Sequence, residues 1–126
     1  MRFVTVAIAL TLTVPLSSSF AQSLSRLQPG LYLPERAPCS AIGGAGTVSF
    51  DGRNLSGHYQ LCVTRPLSGD TYKSTCVEAQ GPDLSSLTED KVLIDPDRTE
   101  IKQRVKITSP KSFELNSVQY RLCGDL

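Results

Sequence analysis

Four cysteines constrain the fold of this chain more than any other sequence feature. They are Cys39, Cys62, Cys76 and Cys123, an even number, and the chain has no tryptophan to enlarge a small core. In an oxidising compartment such cysteines pair, and each disulfide adds roughly 2 to 4 kcal/mol of stability. A zinc site usually needs two ligands separated by two to four residues, and no two of these cysteines have that spacing. We therefore expect two disulfides and no metal site.

The segment from residue 54 to residue 80 brings two of the cysteines opposite each other. Two strand-like runs flank the break PLSGD, and a hairpin centred on Gly69 aligns their apolar residues. In that register the opposed pairs are Leu61 with Val77, Val63 with Thr75, and Cys62 with Cys76. Directly opposed strand residues lie at about 4.5 to 5.5 Å, a distance that a disulfide spans. The alignment therefore favours a bridge between Cys62 and Cys76.

The remaining cysteines would then link the first loop to the last strand, through Cys39 and Cys123. The pairing of Cys39 with Cys62 and of Cys76 with Cys123 stays open, because four cysteines allow three connectivities and sequence alone does not choose among them.

The same register assigns the side chains of this hairpin to two faces. Tyr59, Leu61 and Val63 alternate onto the face that we expect to meet the core, but a tyrosine at the start of the strand could also project from the rim, and that alternative stays open for Tyr59. Cys62 and Cys76 lie on the more polar face.

Alternation typical of strands recurs along the rest of the chain. The predicted strands lie at 30–33, 46–50, 56–65, 71–79, 91–95, 99–108 and in a last hairpin, 112–123. That hairpin turns at Asn116 and Ser117, and its matched pairs are Leu115 with Val118 and Phe113 with Tyr120. Residues 81–90 are the one helical candidate, of two turns at most. We therefore expect an all-β fold: a small antiparallel barrel or sandwich of about seven or eight strands, with at most one short helix.

The strand at 99–108 separates an apolar face from a basic one. Ile101, Val105 and Ile107 alternate with Lys102, Arg104 and Lys106. Cations on the wet face of a strand commonly protect an edge from pairing with another chain. We prefer that interpretation of the basic ladder over an anionic partner, and Lys111 and Arg121 could extend the ladder.

The amino terminus has the pattern of a secretory signal peptide. Arg2 precedes an uncharged run from Phe3 to Leu16, and a serine-rich stretch leads to Ala21. The run is shorter than the roughly 20 apolar residues of a membrane span, and a retained amphipathic anchor is the competing interpretation. We expect cleavage after Ala21. Residues 22–126 would then form one domain in the periplasm or outside the cell, as a monomer or a weak dimer.

The sequence offers no catalytic or cofactor constellation. His58 is the only histidine, and no G-x-S-x-G frame holds a nucleophile. The 13 Lys and Arg residues nearly balance the 12 Asp and Glu residues, whereas nucleic-acid-binding proteins usually carry a strongly basic face. Acidic pairs such as Asp95 with Asp97 lack the spacing of a calcium loop. We therefore expect no enzyme activity, no cofactor and no nucleic-acid partner.

The segment Ser56-Gly57-His58-Tyr59 resembles the short SGxY motif of the periplasmic inhibitors of invertebrate-type and goose-type lysozymes. Those inhibitors are small exported bacterial β proteins, and their motif lies on a loop that inserts into the active-site cleft of the lysozyme. The resemblance covers four positions. It implies that Ser56 and Tyr59 contact the enzyme and that Gly57 and His58 belong to the same partner-binding loop.

These observations predict an exported, non-enzymatic binding protein, with a lysozyme as its most specific candidate partner. Two alternatives remain open. One is a carrier that holds a small ligand inside a β-barrel, and the other is a structural or immunity protein of the cell envelope.

Overall fold

A computed structural model describes residues 10, 12–13, 23–80 and 86–126 of the chain. Apart from residues 10, 12 and 13, the predicted signal peptide lies outside the described residues, and so does the first half of the predicted helical segment, 81–85. Among the described residues, no helix combines the length and the apolar character needed to cross a membrane.

Eight strands form one antiparallel sheet. Their bounds are β1 Gly30–Pro34, β2 Val48–Phe50, β3 Leu55–Ser56, β4 Gln60–Ser68, β5 Thr71–Glu78, β6 Thr99–Ser109, β7 Ser112–Leu115 and β8 Val118–Gly124. The order across the sheet is β3-β2-β1-β8-β7-β6-β5-β4. The two outermost strands, β3 and β4, approach each other, so the sheet curls into a nearly closed barrel. The predicted all-β class is confirmed, in its barrel form.

Side chains close the seam between β3 and β4. The Ser56 hydroxyl oxygen Oγ accepts a hydrogen bond from the backbone N–H of Cys62 at 3.0 Å. Asn54 Oδ1 accepts from the N–H of Thr64 at 2.9 Å. In the other direction, Thr64 Oγ1 accepts from the N–H of Leu55 at 3.0 Å. These bonds take the place of a longer backbone ladder and give buried N–H groups their acceptors.

Aromatic side chains fill the barrel interior. Tyr32, Phe50 and Phe113 have no exposed surface. The ring of Phe113 meets Tyr32 edge to face at 5.1 Å between centroids and stacks on Tyr120 at 5.2 Å. Around them pack Leu24, Leu27, Val48, Leu55, Tyr72, Val105 and Ile107. Side chains therefore occupy the interior of the barrel.

Both favoured disulfides are present. Cys62 and Cys76 oppose each other with Cα atoms 4.1 Å apart, and Cys39 and Cys123 bridge with Cα atoms 5.3 Å apart. The hairpin has the predicted register, with the pairs Leu61–Val77, Cys62–Cys76 and Val63–Thr75. Because thiols stay reduced in the cytoplasm, the two disulfides indicate an oxidising, non-cytoplasmic compartment.

The carboxyl-terminal hairpin also has its predicted register, with the pairs Phe113–Tyr120 and Leu115–Val118. Asn116 and Ser117 form its two-residue turn with φ angles of 48° and 72°, the left-handed conformation that suits the twist of a hairpin. Asn116 also bonds to β6, because its Oδ1 accepts from the N–H of Arg104 at 2.9 Å.

The predicted faces of the β4–β5 hairpin are wrong. Cys62 and Cys76 are buried, and on β5 Cys76 alternates onto the same face as Tyr72, which packs in the barrel interior. The opposite face packs in a second, smaller cluster that contains Leu61, Val63, Val77, Leu87, Val92 and Leu93. Both faces of the hairpin are therefore covered in this region, the second one by a helix on the outside of the barrel.

The prediction of a strand at 91–95 is wrong as well, because these residues belong mostly to the helix α1, Glu89–Ile94. Thr88 is its N-cap, and the side chain of Thr88 accepts from the N–H of Lys91 at 3.4 Å. Two acidic residues occupy the first turn, where their negative charges interact favourably with the positive end of the helix dipole. The aliphatic run V-L-I favours a strand locally, but the capping and the contact of Val92 with the hairpin stabilise a helix.

The apolar face of β6 is only partly buried. Val105 and Ile107 are buried as predicted, whereas Ile101 is 50% exposed. Residues 99–104 of β6 pair with β5, and residues 105–109 pair with β7. Ile101 therefore lies in the half of the strand whose only paired neighbour among the described residues is β5.

We expect the substitution Val92→Ala to lower the free energy of unfolding by about 2 kcal/mol, because it removes two buried methyl groups and leaves a cavity. The control Ile94→Ala lies on the same helix but is 78% exposed, so its effect should stay below about 0.5 kcal/mol. Urea denaturation measures both values. Equal losses would contradict the packing of α1 on the hairpin.

Candidate functional site

The segment that carries the resemblance forms a tight turn. The predicted strand at 56–65 is interrupted, since β3 ends at Ser56 and β4 begins at Gln60. The N–H of Gln60 donates to the carbonyl oxygen of Gly57 at 3.2 Å and closes the turn. We call residues 56–59 the aromatic turn.

Ser56 anchors this turn from the inside. Its side chain is buried, with 6% of the residue exposed, and its Oγ accepts from the N–H of Cys62. Its carbonyl oxygen accepts from Ser49 Oγ at 3.4 Å. The Ser56 hydroxyl thus belongs to the seam between β3 and β4, on a strand that is held next to the Cys62–Cys76 disulfide.

Tyr59 projects from the turn, so the orientation toward the core that the register favours is wrong and the open alternative, projection from the rim, is the one observed. The residue is 58% exposed. Its φ of 55° lies in the left-handed region, which a bulky residue rarely adopts, and this conformation breaks the alternation that continues through β4. The carbonyl oxygen of Tyr59 accepts from the N–H of Ala79 at 2.9 Å, so the backbone is fixed where the ring protrudes.

His58 and Tyr59 form a ring pair at the surface. Their ring centroids are 3.7 Å apart and their planes are tilted by 42°. Beside the rings lies a pocket of about 280 Å³, whose opposite wall comes from Leu31, Gly43, Thr47 and Ser49. A rigid aromatic projection next to a shallow concavity is suited to contact another molecule, because tyrosine combines a large apolar surface with a polar hydroxyl.

The described residues contain no group of three His, Cys, Asp or Glu side chains that could hold a metal ion. Burial raises the pKa of Tyr32 to about 12. Burial also raises the pKa of Tyr72, against a hydrogen bond with the backbone of Leu24 that lowers it. Both phenols pack in the interior cluster rather than in the aromatic turn.

Comparisons of the chain with protein-family models, with curated proteins and with solved structures find no match.

Sequence reasoning missed the far wall of the pocket. Leu31 and Ser49 lie on β1 and β2, and Gly43 and Thr47 lie in the loop between those strands. No local pattern connects them to the aromatic turn. The available signal was Gly57, which a continuous strand would not favour and which marks the position of the turn.

We expect Ser56→Ala to lower the free energy of unfolding by about 1 to 3 kcal/mol, because the substitution leaves the N–H of Cys62 buried without its acceptor. Ser68→Ala is the control, since Ser68 is exposed at the end of β4, and should change stability by less than about 0.5 kcal/mol. Chemical denaturation with the disulfides intact measures both. If Ser56→Ala left the free energy of unfolding unchanged, the seam between β3 and β4 would not depend on this hydroxyl.

The left-handed conformation of Tyr59 predicts an unusual order of stabilities. Tyr59→Gly should be more stable than Tyr59→Ala by about 1 kcal/mol, because glycine alone adopts a positive φ without steric cost. The same pair at Gln60, in the extended strand β4, should show the reverse order, since glycine weakens a strand. Thermal unfolding of the four variants measures both differences. If the alanine variant were more stable than the glycine variant at both positions, the strained conformation of Tyr59 would be contradicted.

Proposed function

We propose that this protein is an exported, non-enzymatic binding protein that inserts the aromatic turn into a cleft of a partner protein, and that the partner is a lysozyme. The observation that carries the proposal is the exposed Tyr59 ring, which contacts the half-buried His58 ring and whose backbone is held by hydrogen bonds in a strained conformation. Backbone strain of this kind concentrates at binding and catalytic sites.

The rigidity of the turn favours binding. Gly57 and Tyr59 each bond through their carbonyl oxygens to neighbouring strands or to the start of β4, and Ser56 bonds through both its oxygens. Little conformational entropy is lost when such a turn enters a cleft, so more of the contact energy appears as affinity. Tyrosine is among the residues that most often dominate binding energy at protein interfaces.

The resemblance implies that Ser56 and Tyr59 both contact the lysozyme, but the roles that we propose for these two residues differ. Tyr59 makes the main contact with the partner, and His58 supports its ring and widens the contact surface. Ser56 acts as a positioning residue, because its hydroxyl accepts a hydrogen bond inside the barrel seam. A Cβ at Gly57 would lie 2.9 Å from Gln60 Oε1, and a shift of the exposed Gln60 side chain relieves that contact, so Gly57 contributes to the turn through its backbone.

The proposed location is the periplasm, after removal of the signal peptide at 1–21. An oxidising compartment outside the cytoplasm is where the disulfides form, and a periplasmic protein can intercept a lysozyme that reaches the cell wall. The alternative of a small-ligand carrier gains no support from the barrel, because Tyr32, Phe50 and Phe113 fill its interior.

The test is a titration of the mature protein against chicken-type, goose-type and invertebrate-type lysozymes, with cell-wall hydrolysis as the readout. We expect inhibition of at least one type, and Tyr59→Ala should weaken it about 30-fold, the effect of a hot-spot truncation of about 2 kcal/mol. Leu67→Ala is the control, because Leu67 is also exposed but lies at the far end of β4.

Two results would count against the proposal in different ways. If no lysozyme is inhibited, lysozyme is not the partner. If a lysozyme is inhibited and Tyr59→Ala inhibits as well as the unaltered protein, the aromatic turn is not the contact.

A further inference from the structure

A row of cations crosses three strands on the outside of the barrel. Arg65 on β4 lies directly opposite Lys73 on β5, and Lys73 lies directly opposite Lys102 on β6. Opposed residues of neighbouring strands point to the same face, and strands lie about 4.8 Å apart, so the three Cα atoms span roughly 10 Å. We call Arg65, Lys73 and Lys102 the cationic row.

The cationic row lies beyond the part of this face that α1 covers. Val63 alternates onto the same face as Arg65, and Val63 packs in the cluster with Val92 of the helix. Further along the hairpin the face is open: Arg65 and Lys102 are exposed, and Lys73 lies half-buried between them.

Ion pairing within the chain does not explain the row. Among the described residues the ion pairs are Arg53–Glu89 at 3.5 Å and Arg98–Glu100 at 3.6 Å, and neither includes a cation of the row. Like charges that oppose each other directly across strands destabilise a sheet. The fold therefore retains an arrangement that weakens it.

Edge protection, the interpretation that the sequence favours for the basic ladder, does not explain Lys73. Protective cations are needed on strands with an unpaired edge. Lys73 lies in the middle of β5, which pairs with β4 on one side and β6 on the other. A lysine in this position protects no edge.

The other cations of the predicted ladder are placed differently. Lys106 lies directly opposite Glu114, and both line a small pocket with Arg104 and Asp70. Arg121 donates to the backbone carbonyl oxygens of Pro34 and Ala37, at 3.0 and 2.7 Å. Glu100, two residues before Lys102 on β6, pairs with Arg98. The cationic row is thus a set of three directly opposed cations for which the described residues show no ion pair, although the whole sequence has 13 basic and 12 acidic residues.

An exposed aliphatic side chain accompanies the row. Leu67 lies two residues beyond Arg65, at the irregularity in the β4–β5 pairing, and is 49% exposed. A soluble polyanion would satisfy the cations and leave Leu67 in water. The interface of an anionic membrane offers negative headgroups and, just beneath them, an apolar layer.

We propose that the cationic row and Leu67 bind the protein peripherally to the surface of an anionic lipid membrane. The cations contact headgroup phosphates, and Leu67 inserts at the boundary with the acyl chains. This surface does not include the aromatic turn, so the inference is independent of the partner proposed for that turn.

The test is flotation of the mature protein with vesicles. Vesicles of phosphatidylcholine that contain phosphatidylglycerol should bind the protein at low ionic strength, and vesicles of phosphatidylcholine alone should not. Each cation near an anionic surface raises the membrane partition coefficient of a protein about five-fold. The triple variant Arg65→Gln, Lys73→Gln and Lys102→Gln should therefore lower the partition coefficient about 100-fold. Leu67→Ser should also lower the partition coefficient. Because salt does not screen an apolar contact, this loss should occur at high ionic strength as well as at low ionic strength.

A second triple variant serves as the matched control. It removes three exposed cations away from the row, Arg26→Gln, Arg36→Gln and Lys111→Gln, and so changes the net charge by the same amount. This control triple should bind to the phosphatidylglycerol-containing vesicles nearly as strongly as the unaltered protein does. The row variant removes opposed like charges, so it should unfold at the same temperature as the unaltered protein or at a higher one. That result would exclude misfolding as the cause of a loss of vesicle binding.

Three results would overturn the proposal. The first is the absence of binding to phosphatidylglycerol vesicles at low ionic strength. The second is an equal loss in the control triple, which would make net charge the cause. The third is binding to soluble polyphosphate without binding to vesicles, which would make the partner a polyanion.

Discussion

The three side-chain hydrogen bonds across the seam between β3 and β4 are the constraint on which the rest of this barrel depends. With only two residues, β3 is too short to pair fully with β4, and the N–H groups of Cys62 and Thr64 would be buried without acceptors. Ser56 and Asn54 supply those acceptors. The chain leaves the barrel wall directly after Ser56, and the aromatic turn begins there. The residue that helps to close the barrel is therefore also the first residue of the turn that exposes Tyr59.

Much of the fold follows from local sequence pattern, because it depends on short-range pairing. The register of the β4–β5 hairpin could be predicted from matched apolar residues on both sides of PLSGD, and the same register favoured the Cys62–Cys76 disulfide over the alternative pairing that the sequence left open. The last hairpin could be predicted from the two-residue break at Asn116 and Ser117, because the apolar positions on its two sides match. Asparagine also tolerates the left-handed conformation that this turn has. In each case one small set of residues specifies both the turn and the alignment.

The errors share a different cause, which is that the deciding contact comes from elsewhere in the chain. Residues 91–94 are helical because Thr88 caps them and because Val92 meets the β4–β5 hairpin. That helix covers the face of Val63, and the buried disulfide turns to the barrel interior. Tyr59 points outward because Ser56 and Gly57 end one strand before the next begins. The wall of the adjacent pocket comes from β1, β2 and their loop, which no pattern near the turn reveals.

The disulfide between Cys39 and Cys123 has a consequence for survival among proteases. It joins residues 84 positions apart, so nearly the whole barrel lies inside one covalent ring. Cleavage of a single peptide bond in any loop within that ring gives two polypeptide pieces that the disulfide still joins. The pieces therefore stay at high local concentration and can keep their strands paired. A nicked molecule would therefore retain its shape, which is a useful property for a protein that acts in a compartment where it cannot be resynthesised.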